Sequence, residues 1–239
     1  MFSFRESFLL DPDAPAASRV EVAFTDASID LQGSREGFAS ALHELEVVAG
    51  VPFARLNQVH GADVHRVEVV PTVGVADDVP TADAQVTTLR GVGLMVRVAD
   101  CVPVVLAARG AGDGEAVLGV AHAGRRGVAL DVVTRTVEAM RDLGARGLRA
   151  WVGPHVCGRC YEVPAAMQRE VVDLVPATRA TTRAGTAALD LGAGVLAQLA
   201  AADVEAVAVG PCTLEDAGLH SYRRDGSAAG RFAGLVWAA

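Results

Sequence analysis

Short stretches rich in β-branched residues recur along the whole chain and outnumber its helical patterns. The predicted strands are residues 20–24, 64–70, 93–98, 102–107, 116–121, 148–152 and 204–209. The predicted helices are residues 34–48 with Ser34 as N-cap, residues 128–143, a segment beginning near Pro164, and residues 191–201. Because the strands do not alternate regularly with the helices, the pattern predicts an α+β domain with a mixed sheet, in preference to a doubly wound parallel sheet.

The composition is that of a globular protein with a large core. The chain has 239 residues, of which 51% are hydrophobic, and its mean hydropathy is +0.31. This apolar content is enough for one large domain or two closely packed halves. We find no linker, low-complexity tract or internal repeat, and therefore interpret residues 1–239 as a single domain.

The apolar runs are short and interrupted, so none reaches the roughly 18 residues that indicate a membrane span. The first residues lack the basic region and apolar core of a secretory signal, so we expect a cytoplasmic protein. Four cysteines are too few for a disulfide scaffold at this length, and we expect them to be thiols.

The chain is acidic, with a formal net charge of −8, and its 21 basic residues are all arginine. A broad basic face for nucleic acid is therefore not expected, whereas local groups of arginines can still bind phosphate. Nothing in the sequence indicates an oligomeric state.

Three residues with metal-binding side chains lie in unusual short contexts in the first half of the chain. They are His60, Cys101 and His122. Imidazole and thiolate groups bind zinc, and three protein ligands leave the fourth tetrahedral position open, as in catalytic sites. Judged from sequence order alone, each could also be an ordinary structural histidine or an inert buried thiol.

The neighbours of two candidate ligands suggest a cleft. Asp100 precedes Cys101 between two apolar strands, where a buried carboxylate requires a partner. His122 is followed by the turn Gly-Arg-Arg-Gly at residues 124–127, where helix N-terminal amides and the side chains of Arg125 and Arg126 would attract an anion.

Ordered motifs across most of the chain match one known family. They are Asn-Gln-Val-His-Gly at 57–61, Ala-Asp-Ala-Gln-Val-Thr at 82–87, Ala-Asp-Cys-Val-Pro-Val at 99–104, Ala-His-Ala-Gly at 121–124, Cys-Tyr-Glu-Val at 160–163 and Ser-Tyr-Arg-Arg-Asp-Gly at 221–226. The sequence resembles the laccase-domain, or multicopper polyphenol oxidase-like, family of YfiH-type proteins. Members are also described as purine nucleoside phosphorylases and as peptidoglycan editing factors.

The resemblance implies two mixed β-sheets packed face to face with flanking helices, in α/β/β/α layers. It implies that His60, Cys101 and His122 bind zinc, with copper as the alternative metal, and that these three residues are catalytic. The implied activities are phosphorolysis of adenosine, inosine, guanosine and methylthioadenosine, and deamination of adenosine. An oxidase is not expected, because a multicopper site needs several histidine-rich clusters and the chain has six histidines.

Further roles follow as hypotheses. Arg126, Arg223 and Arg224 would hold the phosphate, and Asp100 would orient a metal-bound imidazole. Asn57 would anchor the loop that carries His60. One departure from the family pattern is Arg125, which stands where the family usually has Trp and places a cation where an apolar ring could line the pocket.

Two other kinds of function remain open. Cys101 activated by His122 would make a Cys-His hydrolase, a deamidase or an amidase that edits peptidoglycan precursors, and His60 would then have no necessary role. Alternatively, the chain would be a non-catalytic partner of cell-wall or cell-division proteins.

The remaining cysteines carry a weaker signal. Cys157 and Cys160 have the spacing of half a zinc knuckle or of a redox pair, but no second Cys-x-x-Cys pair follows, so a structural role is favoured. Cys212 is interpreted as a core or near-surface thiol.

Overall fold

The structure is a computed structural model that describes residues 1–11, 18–71, 79–112 and 115–238. Its strands are β1 Phe2–Leu9, β2 Arg19–Thr25, β3 Phe53–Ala54, β4 Val64–Arg66, β5 Ala84–Thr87, β6 Gly93–Val98, β7 Val102–Arg109, β8 Ala116–Ala123, β9 Arg146–Val152, β10 Arg179–Thr181, β11 Ala187–Leu189, β12 Glu205–Ala208 and β13 Phe232–Ala238. Its α-helices are α1 Phe38–Ala49, α2 Arg125–Ala129, α3 Val132–Asp142, α4 Ala165–Leu174, α5 Leu191–Ala201 and α6 Tyr222–Asp225.

The strands form two large mixed sheets. The first has the order β1-β2-β13-β6-β3, in which only the β3–β6 pair is parallel. The second has the order β12-β9-β7-β8-β5-β4, with antiparallel central pairs and a parallel pair at each edge. Strands β10 and β11 form a separate antiparallel ribbon. The predicted α+β class with mixed sheets is confirmed.

The layers follow from which side chains each sheet buries. Between the sheets, Phe24, Leu94 and Val236 of the first pack against Val105 and Trp151 of the second, all fully buried. The two outer faces are covered by helices. The first sheet packs against α1, and the second packs against α2, α3, α4 and α5. The chain therefore has the expected α/β/β/α order.

Two predicted helices have different bounds in the structure. Helix α1 begins at Phe38 with Gly37 as its N-cap, so Ser34 is not the cap. The stretch predicted as one helix over residues 128–143 is two helices, since Asp131 between them has a left-handed φ of 62°. The first of the two, α2, begins at Arg125, only two residues after the end of the strand that carries His122.

Candidate metal centre

The three candidate ligands, far apart in sequence, meet at one point of the fold. His60 lies in the loop between β3 and β4, Cys101 lies between β6 and β7, and His122 lies near the end of β8. Strands β7 and β8 pair with Pro103 opposite His122, which places Cys101 beside the histidine. One ligand atom from each of the three residues lies within 4.8 Å of the others.

The three candidate ligands differ in how far they are exposed to solvent. His122 is buried, Cys101 is partly exposed and His60 is exposed. The two imidazole rings lie edge to face, with centroids 4.7 Å apart and an interplanar angle of 63°. The group therefore faces the cleft from its His60 side, while its His122 side is anchored in the second sheet.

Gly124 leaves the space in which the three ligands converge. A Cβ atom at this position would lie 2.5 Å from His60 Nδ1 and 3.2 Å from Cys101 Sγ. The backbone of Gly124 is extended, with φ −76° and ψ 173°, so the requirement is for space and not for an unusual dihedral angle. Any side chain at this turn would displace a ligand.

Asp83 is the residue that orients the histidines, although sequence reasoning gave it no role. Its fully buried carboxylate lies 2.7 Å from His122 Nδ1. The same carboxylate accepts hydrogen bonds from the backbone N–H groups of Val59 at 3.2 Å, His60 at 2.9 Å and Gly61 at 2.6 Å. A carboxylate on Nδ1 leaves Nε2 of His122 for a metal and fixes the ring orientation.

The sequence signal for Asp83 is its place in the Ala-Asp-Ala-Gln-Val-Thr motif at 82–87. This aspartate directly precedes β5, whose four residues are all buried, and β5 pairs with β8 so that Ala84 lies opposite Ala121. An acidic residue next to a fully buried strand requires a compensating partner, and the neighbouring strand carries His122.

The Cys101 thiol and the His122 imidazole shift each other's pKa in opposite directions. Burial raises the pKa of the Cys101 thiol, but the nearby His122 and His60 imidazoles outweigh burial and lower this pKa to about 6. Burial lowers the pKa of His122, but Cys101 and Asp83 outweigh it and raise this pKa to about 9. Without a metal, the pair is therefore a thiolate and an imidazolium near neutral pH.

Asp83 retains its negative charge in this environment. Burial raises the pKa of its carboxyl group, but hydrogen bonds from His122 and from backbone N–H groups outweigh burial, so that the pKa lies below its ordinary value of 3.8. The donor set of two imidazoles and one readily ionised thiol fits a borderline-soft divalent cation. These residues could therefore hold a metal ion.

Asp100, proposed to orient a metal-bound imidazole, has different partners in the structure. Its carboxylate accepts a hydrogen bond from Thr213 Oγ1 at 2.7 Å and another from the backbone N–H of Arg223 at 2.6 Å. The residue is buried, with a left-handed φ of 82°. Asp100 thus joins the Cys101 loop to the C-terminal part of the chain, and Asp83 holds the imidazole instead.

The loop that carries His60 is anchored by its polar residues. Asn57 Nδ2 donates to Thr81 Oγ1 at 3.1 Å, and its backbone pairs with that of the same segment. Gln58 donates to the carbonyl of Arg97 at 2.8 Å and accepts from its N–H at 2.9 Å, a pair of contacts that sequence reasoning missed. Asn57 thus joins its loop to the segment at Thr81 through a side-chain bond, where bonds to backbone were expected, and it also lines the cleft.

A cleft of about 740 Å³ opens over the three ligands. This volume is within the range of pockets that hold small molecules. Its walls include the aromatic rings of Tyr161 and Tyr222, the side chain of Leu191, and polar groups from Gln32 and Asn57. The cleft therefore combines a candidate metal centre with apolar surface and charged groups.

Three arginines line this cleft, and they differ from the three that were predicted. Arg223 is common to both sets, and its guanidinium lies 4.4 Å from the centroid of the Tyr161 ring. Arg97 and Arg231 also line the cleft, and sequence reasoning missed both. Burial, together with the charges of Arg55 and Arg231, lowers the pKa of Arg97 below its ordinary value. Arg97, Arg223 and Arg231 thus bring positive charge to the cleft, and they are together called the arginine wall.

The other two predicted arginines do not line the cleft. Arg126 is exposed in the first turn of α2. Arg224 donates to three backbone carbonyls, those of Thr213 at 2.9 Å, Asp216 at 3.0 Å and Leu219 at 2.6 Å. Arg224 therefore holds the C-terminal loops together. From the sequence alone, the role of Arg223 could not be distinguished from that of Arg224, because the two are adjacent in one motif.

Among the described parts of the chain, no helix combines the length and the apolar character that a bilayer crossing requires.

Comparison with known proteins gives consistent results. A family model described as multi-copper polyphenol oxidoreductase laccase matches residues 18–239. A purine nucleoside phosphorylase of Streptomyces griseus is 50% identical over 185 residues, covering 76% of this chain and 72% of that protein. Another protein of that name from Streptomyces coelicolor is 48% identical over 212 residues, covering 86% and 84%.

Solved structures share the fold along nearly the whole chain. YlmD of Geobacillus stearothermophilus has a TM-score of 0.80 at 26% identity, covering 95% of this chain and 94% of that one. Protein NMB0706 of Neisseria meningitidis has a TM-score of 0.76 at 27% identity, covering 97% and 98%.

Proposed function

The chain belongs to the family described as multi-copper polyphenol oxidoreductase laccase, and within it we propose that the protein is a zinc-dependent purine nucleoside phosphorylase. Its substrates would be phosphate with adenosine, inosine, guanosine or methylthioadenosine, and it would also deaminate adenosine. The observation that carries the proposal is a single cleft in which the three-ligand group and three arginines meet. The names of the Streptomyces relatives support the same reaction.

The two-imidazole, one-thiol donor set fits zinc and also fits copper, and we propose zinc as the metal. Zinc held by His60, Cys101 and His122 would supply a Lewis acid with one coordination position left for substrate. A multicopper oxidase would require several histidine-rich clusters, and the whole chain has six histidines, two of them in this group. We therefore propose nucleoside chemistry for this cleft and not oxidation of phenols.

The arginine wall would bind the phosphate. Arg97, Arg223 and Arg231 each donate to one or two backbone carbonyls, and the remaining N–H donors of their planar guanidinium groups match the oxygens of a phosphate dianion. In phosphorolysis an oxygen of this phosphate forms a bond to the anomeric carbon of the ribose while the bond to the purine breaks. Holding the phosphate next to that carbon would lower the entropic part of the barrier.

The aromatic wall would hold the purine. Tyr222 provides an aromatic ring and Leu191 an aliphatic contact, while Arg223 already lies over one face of the Tyr161 ring. Burial, assisted by the charge of Cys101, raises the pKa of Tyr161 above its ordinary value of 10.0, although Arg223 and Arg125 oppose this shift. The phenol therefore keeps its proton at neutral pH and can donate a hydrogen bond to the departing base, which carries the electrons of the broken bond.

Product identification tests the proposed reaction. Zinc-loaded protein is incubated with adenosine and phosphate, and the products are separated by chromatography. Adenine with ribose 1-phosphate is the expected main product, and inosine would report the deaminase activity. Release of neither product would contradict the proposal and would favour the peptidoglycan-precursor editing alternative.

An arginine substitution tests the phosphate wall. Arg223→Ala removes one guanidinium but keeps the backbone N–H that Asp100 needs. We expect the KM for phosphate to rise by about 10-fold or more, as for a lost charge-assisted hydrogen bond. Arg135→Ala, an exposed position on α3, is the matched control and should leave this KM unchanged. Equal values for both variants would remove Arg223 from the phosphate site.

A Cys-His hydrolase is the second candidate, and the lowered pKa of Cys101 beside His122 favours it. In such an enzyme the Cys101 thiolate would attack the amide carbonyl carbon, and the C–N bond would break as His122 protonates the leaving nitrogen. Water would then hydrolyse the thioester and release Cys101. Amide hydrolysis by metal-free protein, abolished by alkylation of Cys101 and preserved in His60→Ala, would select this candidate over the phosphorylase.

A further inference from the structure

A second group of metal-binding side chains lies outside the centre described above. Cys157 and Cys160 belong to the loop between β9 and α4, and Cys212 and Glu215 belong to the loop between β12 and α6. One ligand atom from each of the four residues lies within 4.8 Å of the others. Three thiols and a carboxylate in such proximity are donors for a soft or borderline divalent cation.

The two pairs are presented by matching turns. The N–H groups of Cys160 and Tyr161 donate to the carbonyl of Cys157 at 2.9 and 3.0 Å. The N–H groups of Glu215 and Asp216 donate in the same way to the carbonyl of Cys212 at 3.1 and 3.0 Å. The group thus consists of two facing turns of equal spacing, a Cys-x-x-Cys and a Cys-x-x-Glu.

These turns are connected before any ion is considered. The N–H of Thr213 donates to the carbonyl of His155 at 3.1 Å, as part of a bridge between the two loops. The N–H of Cys157 donates to Cys212 Sγ at 3.3 Å, which links the first turn directly to the second. The loops are therefore held in register with the four donors converging.

The spacing and the surrounding charge suit a tetrahedral ion. Zinc–sulfur bonds of about 2.3 Å place two thiolates of a tetrahedral site about 3.8 Å apart. Cys160 Sγ and Glu215 Oε1 are 3.4 Å apart, a distance close to this separation of two ligand atoms around one zinc ion. Three thiolates and a carboxylate would leave a zinc site with excess negative charge, and Arg183 forms an ion pair with Glu215 and also approaches Cys160 Sγ at 3.9 Å.

We propose that Cys157, Cys160, Cys212 and Glu215 bind a structural zinc ion, separate from the catalytic centre. Four protein ligands would fill the tetrahedral positions, which is typical of sites that stabilise a fold and take no part in catalysis. The sequence indicated only the Cys157 and Cys160 half of the site, because the second turn, from Cys212, ends in Glu215 and not in a cysteine. This proposal does not depend on the reaction proposed for the cleft.

The position of this ion gives it a structural consequence. Tyr161, next to Cys160, lines the cleft, and Thr213, next to Cys212, donates to Asp100 beside Cys101. An ion between the two turns would therefore hold one wall of the cleft against the segment that contacts the Cys101 loop. Loss of the ion should loosen the cleft without removing a residue of the catalytic centre.

Zinc stoichiometry tests the proposal. Protein purified under reducing conditions is loaded with Zn²⁺, freed of excess metal by gel filtration and measured by mass spectrometry for zinc per chain. We expect about two zinc ions for the natural sequence, and about one for each of the double variants Cys157→Ser/Cys212→Ser and His60→Ala/His122→Ala. About one ion in the natural sequence, unchanged in the cysteine variant, would overturn the proposal.

A milder variant keeps the test valid if the cysteine variants fail to fold. Glu215 is exposed, so Glu215→Gln should fold while weakening the second zinc ion by roughly 10-fold or more. Glu170→Gln, an exposed position on α4, is the matched control and should bind both ions as before. Identical zinc affinities for these two variants, or a disulfide among the three cysteines in zinc-loaded protein, would contradict the proposal.

Discussion

Among single residues, Asp83 fixes the positions of two candidate metal ligands, His60 and His122, at the same time. One buried carboxylate fixes the ring of His122 and also accepts three backbone hydrogen bonds from the loop that carries His60. Two ligands from distant parts of the chain therefore share one acceptor. A buried acceptor of this kind sets both the orientation of an imidazole and its available nitrogen.

Substitution of this residue should weaken metal binding. In Asp83→Asn the amide can no longer serve as an anionic acceptor for His122 Nδ1, and we expect the affinity for zinc at the centre to fall by about 10- to 100-fold. Competition titration with a chelator measures this affinity. Asp63→Asn, at an exposed position, is the control. An unchanged affinity in Asp83→Asn would show that the carboxylate does not support the ligands.

The lowered pKa of Cys101 predicts its reactivity in metal-free protein. Its thiolate forms above a pKa of about 6, so alkylation by iodoacetamide should be fast at pH 7 and slow as pH falls below 6. In His122→Ala the neighbouring positive charge is lost, and the onset of alkylation should move to higher pH. Peptide mass spectrometry resolves Cys101 from the other cysteines. The same onset in both proteins would contradict the assigned cause.

At the scale of elements, the site depends on how β8 ends. The strand delivers His122, and Gly124 then makes the close turn into α2 while leaving space for His60 and Cys101. Asp131, with its left-handed φ, ends this short helical segment before α3 begins. Apolar periodicity over residues 128–143 could not reveal this break, because both helices bury valines on the same side of the second sheet.

A glycine substitution tests the role of this turn. The new methyl group of Gly124→Ala would lie 2.5 Å from His60 Nδ1, so we expect loss of metal binding at the centre. Gly37→Ala is the matched control, since a Cβ atom there has no neighbour within 4 Å. Zinc titration of the centre and thermal unfolding should be measured for both. Normal zinc affinity in Gly124→Ala would show that the turn can adapt.

At the scale of the whole molecule, several features could be read from the sequence in physical terms. The β-branched segments over β6, β7 and β8 follow their actual bounds closely, because strands buried on both faces are apolar almost throughout. Strand β1 alternates between inward and outward positions but was missed, since the inward residue Glu6 is polar. Its carboxylate accepts a hydrogen bond from the buried Trp151 at 2.8 Å.

Long-range pairing could not be derived from local patterns. Strand β13, near the end of the chain, lies between β2 and β6 in the first sheet, and its Gly and Ala residues weaken the local strand signal. The arginines of the cleft were obscured for a related reason. Arg97 lies on β6 opposite Ala233 of β13, and Arg231 directly precedes β13, so the pairing of these two strands brings both arginines to the cleft.

The most direct test measures phosphorolysis while the metal content of the His60, Cys101 and His122 centre is varied. Metal-free protein is titrated with zinc, and the release of adenine from adenosine and phosphate is followed, with His122→Ala as the comparison. We predict activity that appears only as the centre fills, and none in His122→Ala at any zinc concentration. Equal activity in metal-free and zinc-loaded protein, or normal activity in His122→Ala, would contradict the assignment of this centre.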